Sequence, residues 1–227
     1  MNQLSRREQN RLEKRTRILE AAIKVFADAG YSGASMDAIA AECGLTKPTL
    51  YQYFASKDAL FKAMMKAPRD VMMLAFDNVQ YSDLVDQLLR FAWAYADTVM
   101  RPEFLSLARL VIGEAHRFPD IGREYQASGP DRVLKGLMQF MESQRDEGRL
   151  RFDDPELAAQ DFWGLILSAP RNRALHDPDV SFSREELARY IQNGLRVFLC
   201  AYSANLKQDL ERFSTAIADK TLGIATV

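Results

Sequence analysis

The chain contains 227 residues, of which 48% are hydrophobic and 27% are charged; this composition excludes a disordered chain and favours one compact unit with a small appended module. Thirty Lys and Arg residues against 31 Asp and Glu give a net charge of −1, which excludes a uniformly basic coat but not a local basic patch. Two cysteines cannot form a disulfide framework, and no apolar run approaches the ~18 residues of a membrane span. The first residues lack an apolar signal region, so we expect a cytoplasmic protein without a membrane partner.

The N-terminal part is predicted to form four helices. The first covers about residues 11–29, where apolar side chains recur at helical spacing, and Gly30 is expected to end it. Ser35, Thr46 and Ser56 are expected to cap the three helices that follow, because a hydroxyl there accepts a hydrogen bond from a free N–H of the first turn.

The remainder is also predicted to be helical, and no segment alternates as a strand would, so the predicted fold class is all-α. The fourth helix is expected to continue toward residue 76 with a break at Pro68, and Ser128-Gly129-Pro130 to interrupt a later helix. The further helices are expected at about 83–100, 103–116, 119–147, 154–168 and 183–204, with one more amphipathic helix after Asn205.

The second and third helices are separated by a short turn at Gly44 and predict a helix-turn-helix. Ile39, Ala40 and Leu50 are expected to fix the angle between the two helices, together with Leu45. An ordinary helical corner without a partner stays open as an alternative. The side chains expected to remain free for phosphates and base edges are those of Thr46, Lys47, Thr49, Tyr51, Gln52 and Tyr53.

Residues 17–60 resemble the N-terminal domain of the TetR family of transcriptional regulators. The matching residues include Arg17-Ile18-Leu19-Glu20-Ala21-Ala22, Phe26, Gly30-Tyr31, Ser35-Met36, Ile39-Ala40, Gly44-Leu45-Thr46-Lys47, Thr49-Leu50-Tyr51-Gln52-Tyr53-Phe54, Ser56-Lys57-Asp58 and Leu60. The resemblance implies an N-terminal three-helix helix-turn-helix DNA-binding domain at 1–60 with a basic arm, and a helical ligand-binding and dimerisation domain at 61–227. A short stretch, 114–119, is similar to the AefR-type subset of C-terminal domains.

The resemblance also implies roles for individual residues. Ser35, Tyr51 and Lys57 match positions that contact DNA phosphates in the family. The positions of Thr46, Lys47, Thr49, Gln52 and Tyr53 lie at the major groove. The chain departs from the family at Pro48, where Gly is common, and a contact through that backbone amide is therefore in doubt.

The C-terminal part carries two predicted surfaces. The resemblance implies a homodimer formed by the helices at about 155–169 and 184–204. Its apolar surface would come from Phe162, Leu165, Ile166, Tyr190, Leu195, Phe198 and Tyr202. For about half of these residues, a place in the core of the same chain stays open as an alternative. A pocket for a small, mostly hydrophobic effector is expected at Met72, Met73, Phe76, Trp93, Phe104, Arg109, His116, Met138 and Trp163, although such stripes are more often core. Glu114 and Arg171 are further candidate polar anchors.

Residues 1–62 hold ten Lys and Arg against seven Asp and Glu, a local net charge of +3. Six of the ten cations lie between Arg6 and Arg17. A solvated, frayed N-terminus and an arm that reaches a neighbouring minor groove through Arg6, Arg7 and Arg11 are both open.

Enzyme motifs are missing from the sequence. It contains neither a Gly-rich phosphate loop nor a Gly-x-Ser-x-Gly elbow, and neither histidine belongs to a Glu-x-x-His pair. Cys43 and Cys200 are both expected to be small buried residues. The absence of these motifs argues against an enzyme, and we expect no cofactor, metal site or catalytic residues. The resemblance to the TetR family implies a ligand-responsive regulator, most often a repressor, that binds a palindromic double-stranded DNA operator. The alternative is a dimeric helical scaffold without DNA binding.

Overall fold

The computed structural model describes residues 5–64 and 83–218. The all-α prediction is confirmed: within those residues the regular elements are helices, and the isolated antiparallel bridge between Leu150 and Ser203 belongs to no strand. The helices are α1 (Arg6–Gly33), α2 (Met36–Glu42), α3 (Lys47–Tyr53), α4 (57–64), α5 (Leu84–Val99), α6 (Pro102–Glu114), α7 (Pro119–Ser128), α8 (Pro130–Asp146), α9 (Pro155–His176), α10 (Arg184–Tyr202) and α11 (Leu206–Ala218).

Helix α1 is longer than the sequence pattern predicted. It begins at Arg6, where Ser5 and Glu8 form a capping box in which each side chain bonds the backbone N–H of the other residue. The predicted stop at Gly30 is a break within the helix, since Gly30 has φ 69° and ψ 172° and helical structure resumes through Gly33. The first two turns have no apolar stripe, so periodicity alone could not find them.

The described chain divides into two compact units. Unit 1 contains residues 5–64 and 102–128, and unit 2 contains residues 83–101 and 129–218. In unit 1, α1 packs against α2 and α6, so that Phe26, Ile39 and Leu107 share one apolar core. The division that we predict at residue 60 concerns sequence domains and stays a prediction.

Unit 2 is built on the packing of α9 against α10, with α5, α8 and α11 around them. Its core contains Phe91, Phe162 and Phe198. The ring centroid of Phe162 lies 5.7 Å from that of Phe91 and 5.1 Å from that of Phe198. Gly194 lets the two central helices approach closely, because a Cβ at this position would lie 2.3 Å from the carbonyl oxygen of Leu165.

Two predicted features of the second half of the chain agree with the structure, and one predicted helix end does not. The predicted interruption at Gly129 separates α7 from α8, and α11 is the predicted helix after Asn205. Helix α9 continues beyond residue 168 to His176, and Pro170 is buried within it. The predicted continuation of α4 toward residue 76 lies outside the described residues.

Candidate DNA interface and neighbouring sites

The helix-turn-helix forms through local caps on both helices. The Ser35 hydroxyl accepts a hydrogen bond from the Ala38 N–H at 3.1 Å, and the Thr46 hydroxyl accepts one from the Thr49 N–H at 3.4 Å. Between the helices, Gly44 has φ +66°, a left-handed conformation that glycine adopts without steric cost. The two predicted caps and the predicted turn are therefore confirmed.

The predicted packing also fixes the angle between α2 and α3. Ile39, Ala40 and Leu50 are buried, and Leu45 packs against the same core from a half-buried position. Cys43 is buried as predicted, and its thiol donates to the Ala40 carbonyl at 3.5 Å. These contacts hold α3 rigidly while its other side faces solvent.

The solvent side of α3 carries most of the residues predicted to contact DNA. Thr46, Lys47 and Gln52 are exposed, and Tyr51 keeps 44% of its surface accessible. The other two predicted members are partly covered: Thr49 is half-buried, and Tyr53 packs against the core of unit 1. Ser35 is exposed at the start of α2.

Two polar contacts organise the start of α3. The Lys47 ammonium forms an ion pair with the Asp37 carboxylate at 2.8 Å, and the hydrogen bond and charge of Asp37 raise the pKa of Lys47 above its usual value. The hydroxyls of Thr46 and Thr49 are hydrogen-bonded to each other at 2.8 Å. The Lys47–Asp37 ion pair and two hydroxyls therefore lie together at the helix N-terminus, where backbone N–H groups also favour an anion.

Lys57 has a structural contact that the sequence did not reveal. Its ammonium donates to the carbonyl oxygens of Tyr31 at 2.7 Å and Ala34 at 3.1 Å, and it lies 4.6 Å from the centre of the Tyr31 ring. The Tyr31 hydroxyl donates to the Asp58 carboxylate, and burial together with this bond raises the tyrosine pKa. Lys57 therefore ties the end of α1 to the start of α4. Its predicted phosphate contact stays a prediction.

The predicted pocket residues fall into three groups. Trp93 belongs to the core of unit 2, and Met138 and Trp163 pack against that core. Phe104, Arg109 and His116 lie in unit 1: Phe104 packs against its core, Arg109 donates to the Ser106 hydroxyl at 3.1 Å, and His116 is exposed. Met72, Met73 and Phe76 lie outside the described residues.

The residues predicted for the dimer interface also divide by environment. Leu165 and Tyr190 are exposed, whereas Tyr202 is half-buried and its hydroxyl donates to Asp161 at 2.5 Å, a bond that raises the tyrosine pKa to about 12. The other four residues are buried in the core of this same chain: Phe162, Ile166, Leu195 and Phe198.

The exposed face of α9 and α10 contains apolar residues that were not singled out from the sequence. Leu157 on α9 and Val197 on α10 are both exposed. Cys200 is exposed on α10 as well, which contradicts its predicted burial. The cause is its position in the helical repeat: Phe198 and Leu199 turn into the core and Cys200 turns away from it.

Two open clefts lie outside the predicted pocket. A cleft of about 700 Å³ in unit 1 has Phe61 and Ile121 in its lining, and one of about 600 Å³ in unit 2 is lined by Arg189, Arg196 and Phe213 among others. Among the described residues, none of those predicted for the effector pocket lines either cleft. Across residues 5–64 and 83–218, no three His, Cys, Asp or Glu residues group as metal ligands would, and no helix has the length and apolarity to cross a membrane.

Two family models match the chain. Residues 18–64 match the model of bacterial regulatory proteins of the TetR family, and residues 86–204 match the C-terminal domain of AefR-like transcriptional repressors. The second match covers more than half of the chain.

Individual relatives agree with these matches. The transcriptional activator FasR of Mycolicibacterium smegmatis is 48% identical over 54 residues, which are 24% of this chain and only 25% of FasR. A TetR-family regulator from Mesorhizobium loti superposes with a TM-score of 0.73 at 28% identity, over 85% of this chain and 98% of that one. The flavonoid-responsive regulator FrrA superposes with a TM-score of 0.62 at 31% identity, over 84% and 97% of the two chains.

Proposed function

The chain belongs to the TetR family of transcriptional regulators, and on this premise we propose that it is a ligand-responsive repressor that binds a palindromic operator as a homodimer. The observation that carries the proposal is the helix-turn-helix, in which a buried face holds α3 rigidly and its polar face is open to solvent. A helix of this kind fits the major groove, where base edges can be read.

We assign two kinds of DNA contact, those with base edges and those with phosphates. Tyr51 and Gln52 are exposed on α3, and an amide such as that of Gln52 can bond a base edge in two places at once. The remaining assigned contacts are Ser35, Thr46, Lys47, Thr49, Tyr53 and Lys57. Phosphate contacts are assigned to Tyr51, Ser35 and Lys57. That of the Lys57 ammonium would make affinity fall as salt rises, since a cation that neutralises a phosphate releases condensed counterions.

The exposed face of α9 and α10 is the proposed dimer interface. It presents Leu157, Leu165 and Val197 to solvent, and a two-fold axis would bring this face onto the same face of a second chain. A palindromic operator requires the two copies of α3 in such a dimer to lie about one DNA turn apart, on the order of 34–36 Å.

The proposed effector is small and mostly hydrophobic, and it binds in unit 2. Trp163 and Tyr95 meet edge to face there with ring centroids 5.6 Å apart, and Met138 packs against the same core. FrrA, by its name, responds to flavonoids, which contain aromatic rings, and this supports an aromatic effector here. Such a ligand lowers DNA affinity only as far as it prefers the conformation that does not bind DNA.

The family consists of regulators, so we propose a non-enzymatic, cytoplasmic protein.

The test of DNA binding is a fluorescence-anisotropy titration of the full chain against its own upstream DNA and against a random duplex of equal length, at two salt concentrations. Salt-sensitive binding with a preference for the upstream fragment is expected. A Tyr51→Ala/Gln52→Ala variant should lose that preference while keeping its thermal stability, because both side chains are exposed.

Absence of binding to both duplexes at low salt would overturn the repressor proposal in favour of a dimeric scaffold. The effector class has a separate test, a thermal-shift screen followed by DNA release. If only small hydrophilic metabolites stabilise the protein, the hydrophobic effector is wrong.

A further inference from the structure

The first three turns of α1 form a helix that projects beyond the core of unit 1. Residues 5–17 are all exposed, in contrast to Ile18 and Leu19, which begin the buried stripe of α1. The segment carries six Lys and Arg and two Glu. One of these acids, Glu8, is occupied by hydrogen bonds from the backbone N–H and the hydroxyl of Ser5.

Two contacts place this helix beside the helix-turn-helix. The Arg15 guanidinium lies 5.3 Å from the centre of the Phe54 ring, and Phe54 caps the C-terminus of α3. Arg17 donates to the carbonyl of Cys43, which caps the end of α2, at 3.3 Å. The projecting helix therefore runs past the end of the recognition helix.

Helical spacing continues the same face toward the N-terminus. Arg11 and Arg7 lie one and two turns before Arg15, and Lys14 lies beside Arg11 at a spacing of three. Within residues 5–64 and 83–218, no carboxylate lies within salt-bridge distance of these three cations. A row of basic side chains on an ordered helix thus faces solvent.

We propose that Arg7, Arg11 and Lys14 bind DNA phosphates outside the base pairs that α3 reads. The inference rests on the proposed function and extends its DNA interface. From Arg15, beside the end of α3, back to Arg7 the helix rises about 12 Å, at about 1.5 Å per residue. That distance corresponds to about three to four base pairs of duplex beyond the site of α3, since base pairs are stacked about 3.4 Å apart.

The ordered helix also changes the expected mode of contact. The sequence left open an arm that enters the minor groove, but an α-helix with side chains is about 10–12 Å across and the minor groove is about 6 Å wide. The helix therefore lies along the phosphate backbone, and only side-chain ends reach the groove edge. Such contacts position the protein and carry no sequence information.

DNA fits this surface better than a protein or a membrane does. Leu12 is the single large apolar side chain among residues 6–17, so an apolar protein surface would find little to bury. A helix that lies in a membrane interface needs a whole apolar face, which this segment lacks. Charge is the property that it offers, and the phosphate backbone is the matching polyanion.

The experiment compares the wild-type chain with Arg7→Gln/Arg11→Gln/Lys14→Gln in the full-length protein. Binding to its own upstream fragment and to a random 40-base-pair duplex is measured by anisotropy from about 50 to 200 mM salt, a range over which phosphate contacts dominate the change. Gln keeps the helix propensity, so circular dichroism should be unchanged. The control variant Arg132→Gln/Lys135→Gln/Lys207→Gln removes the same charge from exposed positions of unit 2.

The triple variant should reduce the slope of log K against log salt by about 2.7, or about 0.9 for each lost phosphate contact, on both duplexes. Its preference for the upstream fragment should be unchanged, and the control should keep the wild-type slope. Arg7→Lys/Arg11→Lys should also keep it, because the charges remain.

An unchanged slope for the triple variant, while the wild-type chain binds, overturns this inference and leaves the proposed function standing. An equal loss of slope in the control also overturns it, because the effect would then be one of net charge. A wild-type chain that binds neither duplex overturns the proposed function and this inference together.

Discussion

The carboxylate of Glu114, at the end of α6, accepts a hydrogen bond from the backbone N–H of Tyr31 at 3.2 Å. This contact crosses 83 positions of sequence and lies directly after the break in α1 at Gly30. A side chain at position 30 would obstruct this contact, because a Cβ added to Gly30 would lie 2.8 Å from the same carboxylate oxygen. The break in α1 and the end of α6 therefore depend on each other.

Gly30→Ala should destabilise the protein by about 2–4 kcal/mol, because φ 69° with ψ 172° is a conformation almost restricted to glycine and the Glu114 hydrogen bond would be displaced. Thermal or urea unfolding measures the loss. Gly44→Ala is the matched control: it has a similar φ of +66° but nothing within 4 Å of its Cβ, so about 1–2 kcal/mol is expected. Equal losses in the two variants would show that the Glu114 contact contributes nothing.

Lys57→Met should lower both stability and DNA affinity. Its ammonium donates to two backbone carbonyls, so its loss should cost about 1.5–3 kcal/mol in the free energy of unfolding. If Lys57 also binds a phosphate, affinity should fall for every sequence and the salt slope should decrease by about one.

The control for Lys57 is Lys62→Met on the same helix. Lys62 forms an exposed ion pair with Glu124 at 3.4 Å, so its loss should cost less than about 1 kcal/mol. Binding is measured at a temperature where both variants are folded. Reduced stability with an unchanged salt slope would assign Lys57 to structure alone and remove it from the proposed DNA contacts.

Gly194→Ala should force α9 and α10 apart. The added Cβ would meet the backbone of Leu165, which cannot rotate away as a side chain can, so a loss of about 1–3 kcal/mol or more is expected in unfolding experiments. Gly113→Ala on α6 is the control, because its Cβ meets nothing within 4 Å and helix propensity should stabilise it by about 0.5–1 kcal/mol. Similar stabilities for the two variants would contradict the close helix approach.

A variant Leu165→Glu/Val197→Glu tests the dimer interface. Leu165 and Val197 are both exposed in the single chain, so the fold should tolerate the change. In the dimer, a buried unpaired carboxylate costs about 3–5 kcal/mol and should weaken association more than 100-fold. Sedimentation velocity reports the mass. Ile112→Glu, at a position 65% exposed on α6, should remain dimeric. A dimer of the double variant as tight as the wild type would move the interface elsewhere.

The sequence predicted the parts of the fold that local chemistry decides. Hydroxyls at Ser35 and Thr46 cap helices through bonds to residues three positions away, so the signal and its partner are read together. The start of α1 was missed because its first turns have no apolar stripe, although Ser5 followed by Glu8 is a capping-box pattern that could have located it.

Contacts between distant residues could not be predicted in this way. Helical spacing puts Phe162, Ile166 and Leu165 on α9, but it does not say whether a face meets the same chain or a second one. The first two are core and the third is exposed. The bonds of Lys57 to the end of α1 likewise depend on how helices pack, and its charge at a helix start suggested only a solvated or DNA-bound side chain.

Thr49→Val should change which operator sequences are preferred without changing the salt slope. The substitution keeps the shape and removes a hydroxyl that bonds Thr46 at 2.8 Å at the start of α3. If that hydroxyl reads a base edge, its loss should alter discrimination at one base pair by about 1–3 kcal/mol, and selection from a random-site library would show this. Thr215→Val on α11, where the hydroxyl bonds the Glu211 carbonyl at 3.0 Å, is the control that should select the wild-type site. An unchanged site with lower stability would limit the Thr49 hydroxyl to supporting the Thr46 cap of α3, and base reading would then fall to Gln52 and its exposed neighbours.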